Sequence, residues 1–387
     1  MNEKIYTLGF SAFSGIGTKR FEKLVAAFES AGNAWETDEK DIIAILGKAL
    51  GEKFAEFRKT FNLEKYAEKV REKGIIWLVP EDEEYPKLLK QLNNAVAGGS
   101  SDGKIHDDGS RIKSGMTKAP FILFAKGNVS LLSDEKTIGI VGTRKVTDYG
   151  RQVTEMFTRE LVASGFTIIS GMALGVDGIA HEEVIKNKGK TIAVLGSGVD
   201  FPTPREHTFL YQKILENNGL IVSTFRPGEI PSKGSFPARN AIIAGLSHGI
   251  LVTEGAADSG SLITAGYAKK FDRFLFAVPG QITSQLSKGT NNLIKEGAIA
   301  VSSVSDILDR LGIIGNVKTQ APNPKKQKGE TKEEQEIVDL LENGPLHFDE
   351  IVRTIGKDSK DIGSILSLME LKGLVKNTHD GKYSISF

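Results

Sequence analysis

The sequence predicts an α/β protein built on a doubly wound, mostly parallel sheet, with a small helical segment before it and a compact helical segment after it. Three observations carry that prediction. First, between Ile138 and Val301 short apolar runs recur, each stopping at a glycine-rich or polar turn: IGIVGTR to Arg144, TIISGMALGVD to Asp177, TIAVLGSG to Gly198, LIVSTF to Phe225, GILVTEGAADSG to Gly260 and FLFAVPG to Gly280. Runs of Val, Ile and Leu without alternation read as strands buried on both faces. Second, most stretches between them are long enough for a crossover helix. Third, both flanks carry helical periodicity instead. Sheets of this class bind ligands in the crevice at the carboxyl ends of their strands. Here those ends carry Arg144, Ser170, Gly171, Gly198 and Glu254, and a further loop carries Lys233 and Phe236.

Composition narrows the class. The chain has 387 residues, enough for two or three domains, with 40% hydrophobic and 26% charged residues, as in soluble globular proteins. Cys is absent, which excludes disulfides and thiolate metal sites and suits a reducing cytoplasm. No run has the apolar length of a membrane span, and MNEKIYTLGFSAF lacks the order of a signal peptide. The net charge is +1, so a nucleic-acid partner requires locally concentrated basic residues.

The first segment, 1–71, reads as small helices around FEKLVAAFES and EKFAEFRKTF. Between them Gly15, Ile16 and Gly17 fit two readings. One is a helix-hairpin-helix turn whose amides meet a DNA phosphate beside Lys19 and Arg20; the other is a plain turn packing Ile16 into a core. The sheet domain spans 72–311, entered through a strand at IIWLVP. Within it, 96–118 is polar, Gly/Ser-rich and aperiodic, a predicted disordered insertion. Its Lys104, Arg111, Lys113 and Lys118 are offset by Asp102, Asp107 and Asp108. A linker at 312–330 contains Pro and Lys. The segment 331–387 reads as three helices and a hairpin turning at Asp380 and Gly381, a winged helix. Its third helix is poor in Arg and Lys, so protein contact and base readout both stay open.

Within the sheet domain, Gly142, Thr143 and Arg144 close the first run: glycine admits a ligand near the backbone and arginine offers a planar fork for phosphate. Ser170 to His181 feeds a strand into a helix and exposes amides there. Asp177 and His181 lie four apart, but no further ligand joins them, so no metal is expected. KGSFPARN, Lys233 to Asn240, puts two cations, a ring and an amide in one predicted loop. Either the ring stacks a base while the cations hold phosphates, or Phe236 plugs the core and Arg239 makes an ion pair. Asp258 and Ser259 are candidate helix caps. A helix starting near Thr290 or Asn291 suggests a further anion site with Lys288. No GxxxxGK[ST] loop, no full GxGxxG and no Ser-His-Asp elbow occurs, so no nucleotide cofactor is expected.

Taken together, G[ST]R, SG-A-G-D--AH, TIAVLG-G-D, FP-RN followed by IAGLS, SGSLITA, AVPG and GTN-LI--GA resemble the DNA-processing protein A (DprA, or Smf) family. Their order holds from Gly142 to Ala298. The resemblance implies an extended Rossmann fold that binds single-stranded DNA and forms a homodimer through the sheet domain. It implies protection of incoming strands in natural transformation and loading of the recombinase RecA. The activity implied is binding and handover, with no chemical step and no cofactor. By motif match, Arg144, Lys233 and Phe236 correspond to DNA contacts, and Gly142, Thr143, Ser170, Gly171, Arg239 and Asn240 to pocket residues. The chain departs from the family pattern at Ala241, where a second Arg is common. Thr224 and Phe225 replace Ser-Glu, and Phe201 replaces Tyr. A competing enzyme reading is a nucleotide phosphoribohydrolase using Glu254 or Asp258, with Arg144 on the phosphate. Its PGG-GT--E signature is absent. A third reading is a winged-helix regulator with the sheet as a ligand sensor.

Overall fold

The structure, a computed structural model, describes residues 2–92, 118–312, 331–341, 344–377 and 381–385. The predicted insertion, Lys118 apart, and the predicted linker, Gly312 apart, lie outside the described residues. The chain divides into two compact units, residues 1–314 and 315–387.

The first unit is organised by nine strands: β1 Ile76–Leu78, β2 Leu123–Gly127, β3 Thr137–Val141, β4 Thr167–Ser170, β5 Lys190–Val194, β6 Leu220–Ser223, β7 Gly249–Val252, β8 Phe274–Ala277 and β9 Ile299–Ala300. Their order is β1-β2-β6-β5-β4-β3-β7-β8-β9. From β6 to β9 all neighbours are parallel; β2 joins β6 antiparallel, and β1 joins β2 antiparallel. The chain winds from β3 out to β6, then returns to β7 on the other side of β3. That reversal puts a topological switch point between β3 and β7.

Both faces of the parallel strands are apolar, and the pleat sorts them. Val141, Ile169 and Val252 share a core with Ile242, Ile243 and Leu246 of the helix Ser235–Leu246. Ile140, Ile168 and Leu251 face the opposite way, against Phe157 and Leu161 of Asp148–Ala163 and Ala180 of Val176–Lys186. This is why the sequence shows continuous apolar runs where a half-exposed strand would alternate.

Six helices precede the sheet: Glu3–Ala12, Thr18–Phe28, Ala31–Glu36, Glu39–Leu46, Lys48–Thr60 and Leu63–Glu72. Phe10 anchors their core, with ring centroids 5.2 Å from both Trp35 and Phe54. The core continues into the sheet through Phe124, Ala193 and Ile221, and Trp77 Nε1 donates to Lys4 O at 3.1 Å. At the glycine turn, Gly15 adopts φ of +113°, which favours glycine, and Ile16 is buried. Arg20 folds back to donate to Gly15 O at 2.7 Å.

The second unit is a winged helix. It has helices Lys332–Leu341, Phe348–Ile355 and Ser359–Leu371, and an antiparallel sheet ordered β10-β12-β11 from β10 Leu346–His347, β11 Val375–Asn377 and β12 Lys382–Ile385. Ile337, Ile351, Ile362, Leu366 and Met369 form its core. Asp380 of the predicted hairpin turn lies outside the described residues. The third helix presents Leu368 and Leu371 outward, the latter 86% exposed. Among the described residues, no helix is long and apolar enough to cross a membrane.

Candidate nucleic-acid interface

The site is built where β3 ends. Beyond Val141 the chain enters a space with no room for a side chain. A Cβ at Gly142 would stand 2.5 Å from Val176 Cγ2 and 2.7 Å from Glu254 O. Thr143 N donates to Glu254 O at 2.8 Å, and Val176 N donates to Thr143 O at 3.2 Å. Gly175, at φ +78°, packs its α-carbon against the Thr143 and Arg144 carbonyls, where a Cβ would overlap. Gripped between β7 and the helix Val176–Lys186, this loop turns Arg144 out to solvent. The Arg144 Cζ sits 5.5 Å from the centre of the Phe236 ring, within cation–π range.

The ring comes from a different kind of segment than the sequence suggests. KGSFPARN is a turn at Lys233 and Gly234 followed by the first turn of Ser235–Leu246, where a single loop was predicted. Ser235 clasps Ser232: its hydroxyl donates to Ser232 O at 2.9 Å and accepts from Ser232 N at 3.0 Å. Pro237 fits because a first-turn residue needs no N–H partner within the helix. Phe236 is therefore fixed by a helix, half-buried, with one edge over Gly196, where a Cβ would come within 3.3 Å. Lys233 is exposed on the preceding turn. Among the described residues, neither Lys233 nor Arg144 has an ion-pair partner.

Beneath this rim lies a buried polar layer. Ser170 is fully buried and donates to Ile140 O at 2.6 Å. Arg239 is 5% exposed, with Nη1 3.4 Å from Asp177 Oδ2. Asp177 also accepts from Gly171 N at 3.2 Å and Ala173 N at 3.4 Å. Burial pushes the Asp177 carboxyl above its ordinary value, and Arg239 with these two amides pulls against the rise. Gly171 is required here, since a Cβ would overlap the Arg239 guanidinium. His181 is fully buried, with Nδ1 2.7 Å from Thr191 Oγ1, and burial drives its pKa down to about 3. Asn240, on the same helix as Arg239, donates to Gly260 O at 3.2 Å.

Eight of the nine candidate residues thus fall into three places, and the ninth, Asn240, stands apart. Arg144, Lys233 and Phe236 stand at the rim, with Arg144 and Phe236 in contact. Gly142 and Thr143 form the bed under Arg144. Ser170, Gly171 and Arg239 are buried below, and Asn240 ties two helices together. Arg239 lies inside because the Asp177 carboxylate, buried in the first turn of the helix Val176–Lys186, needs a counter-charge. The anion site expected around Lys288 is closed. That helix starts at Lys288, Gly289 N donates to Gly255 O at 2.8 Å, and Asn291 brackets Gly280 with bonds of 3.2 and 3.1 Å. Asp177 and His181 point to different partners, and among the described residues no three His, Asp or Glu side chains gather as metal ligands would.

A doubly wound sheet with cations and a ring at its carboxyl rim, followed by a winged helix, defines a Rossmann-like two-unit protein. The family model for DNA recombination-mediator protein A matches residues 76–312, and that for the DprA winged helix domain matches residues 320–381. The chain is 35% identical over 318 residues to Protein Smf of Synechocystis, covering 81% of this chain and 74% of the relative. It is 44% identical over 192 residues to the DNA processing protein DprA of Bacillus subtilis, covering 50% of this chain and 64% of the relative. The X-ray structure of DNA processing protein A from Streptococcus pneumoniae aligns with a TM-score of 0.63 at 32% identity, over 80% of this chain and 97% of that one. The chain belongs to the DNA recombination-mediator protein A family.

Proposed function

We propose that this protein binds single-stranded DNA across the rim formed by Arg144, Lys233 and Phe236, protects the strand, and hands it to a RecA-type recombinase. The setting is DNA processing in the cytoplasm, as in natural transformation, with the protein acting as a homodimer through the sheet domain. The observation that carries the reading is the Arg144 guanidinium held 5.5 Å from the Phe236 ring at the carboxyl end of the sheet. A cation for phosphate beside a face for a base is the minimal unit of sequence-independent single-strand binding. The names of the relatives, DNA processing protein and DNA recombination-mediator protein, agree with it. Handover to a recombinase and dimerisation extend the reading by family resemblance. Binding is the whole activity in this reading, with no bond made or broken. Of the two acids of the phosphoribohydrolase alternative, Glu254 and Asp258, the Glu254 carboxylate already accepts from both Thr147 N and Thr147 Oγ1, which leaves it poorly placed to protonate a leaving base, and Asp258 is exposed.

The test compares single-stranded and duplex oligonucleotides across a salt series. Wild type is expected to prefer the single strand, with an affinity that falls steeply as salt rises. A preference for duplex, or Lys233→Ala and Arg144→Ala proteins that bind oligo-dT as wild type does, would sink the assignment.

A further inference from the structure

The helix Asp148–Ala163 follows β3, the first parallel strand, and opens at the switch point between β3 and β7. In sheets of this topology, that N-terminus is where a nucleotide phosphate sits, held by free amides and the helix dipole. Here the place is taken. Glu254, at the end of β7, is 2% exposed and sends its carboxylate under the helix start. Its Oε2 accepts from Thr147 N at 2.9 Å and its Oε1 accepts from Thr147 Oγ1 at 2.6 Å. Thr147 Oγ1 in turn caps the helix by accepting from Gly150 N at 3.0 Å. Gly150 leaves the space: a Cβ there would overlap Glu254 Oε2. A first-turn glycine, elsewhere the means of bringing a phosphate close, here admits a carboxylate of the same chain.

We propose that Glu254 is a built-in anion that fills the phosphate position of the switch point and so denies the crevice to free nucleotides. It is a specificity-determining residue. It is also a positioning residue, because the same side chain and its carbonyl hold Thr143 and Thr147, the two ends of the loop that carries Arg144. With the inner position closed, an incoming phosphate meets the protein only at the rim. This last step rests on the single-strand reading above; the exclusion itself does not, and is measured without DNA.

The experiment uses the full chain, with inorganic phosphate and then AMP as probes, followed by thermal melting and equilibrium dialysis. Wild type should show no saturable binding of either. Folded Glu254→Ala should bind phosphate saturably and melt higher in its presence, whereas Glu254→Asp, which keeps the charge, should not. Saturable phosphate binding by wild type equal to that of Glu254→Ala overturns the proposal, as does a folded Glu254→Ala protein that ignores phosphate. Should Glu254→Ala not fold, Glu254→Gln replaces it, keeping the volume and removing the charge. A phosphate affinity above wild type then supports the proposal and equality overturns it. Single-strand binding by the same proteins is a separate arm. Its failure in wild type would remove the proposed function and leave the exclusion standing.

Discussion

Arg144 and Arg239 belong to two levels of one crevice and differ in everything but residue type. Arg144 is exposed, has no carboxylate partner among the described residues, and lies over a ring. Arg239 is 5% exposed and faces Asp177 at 3.4 Å. A solvated guanidinium keeps its donors for a ligand, whereas a buried one is tied to the carboxylate that makes its burial tolerable. The upper level is therefore read by binding and the lower by stability, and substitutions can test whether that division holds.

The largest effect is expected below. Arg239→Ala strands the Asp177 carboxylate in the interior, a change that costs about 3–5 kcal/mol of stability. Urea unfolding checks it. Replacing both partners, Asp177→Leu with Arg239→Met, should recover much of the loss, because an apolar pair leaves no buried charge alone. If Arg239→Ala were as stable as wild type and weak only in DNA binding, the two-level division would collapse.

Phe236→Ala should act in the opposite sense. Removing a stacking face costs about 1–3 kcal/mol of single-strand affinity and leaves the salt dependence unchanged. Because Phe236 is half-buried over Gly196, some loss of stability is expected, so unfolding and binding are to be measured on the same protein. Arg144→Ala sharpens the contrast. Affinity should fall about tenfold and the slope of log affinity against log salt should lessen by about 0.7, with stability within about 0.5 kcal/mol of wild type. A changed slope in Phe236→Ala, or an unchanged one in Arg144→Ala, would exchange the roles given to ring and cation.

The position of Arg144 in the upper level was legible in the sequence, and the lower level was only half so. Strand ends follow from where apolar runs stop, so Arg144 at the end of IGIVGTR could be placed without coordinates. Asp177 and Arg239 are 62 positions apart, and Thr147 and Glu254 are 107 apart. No local pattern couples them, since the contacts depend on how the crossovers stack the helices. One signal was available. ARNAIIAGL carries an arginine inside an otherwise apolar helix, and a cation in such a place calls for a buried acid. KGSFPARN misled for a related reason: proline and glycine mark a turn, but proline is equally at home in the first turn of a helix. The edge strand β1 was legible in the apolar segment IIWLVP. The antiparallel pairing of β1 to β2, and of β2 to β6, was not, because register is set by tertiary packing.

His181 offers a separate, pH-dependent probe of the lower level. It is buried beside Asp177's helix turn, and burial, followed by the nearby His207 and Arg239, lowers its pKa from 6.5 to about 3. The folded protein then holds a neutral ring down to that pH, whereas the unfolded chain takes up a proton near 6.5. Above 6.5 neither state gains a proton at this residue and stability is flat. Between 6.5 and about 3 the unfolded state binds the extra proton, so stability falls as pH falls, by about 1 kcal/mol per pH unit below pH 6. Urea unfolding at several pH values should show that slope in wild type. It should be shallower in His181→Gln, which has no ring to protonate, even if that variant is less stable throughout. Parallel slopes in the two proteins would move the acid sensitivity from His181 to other groups.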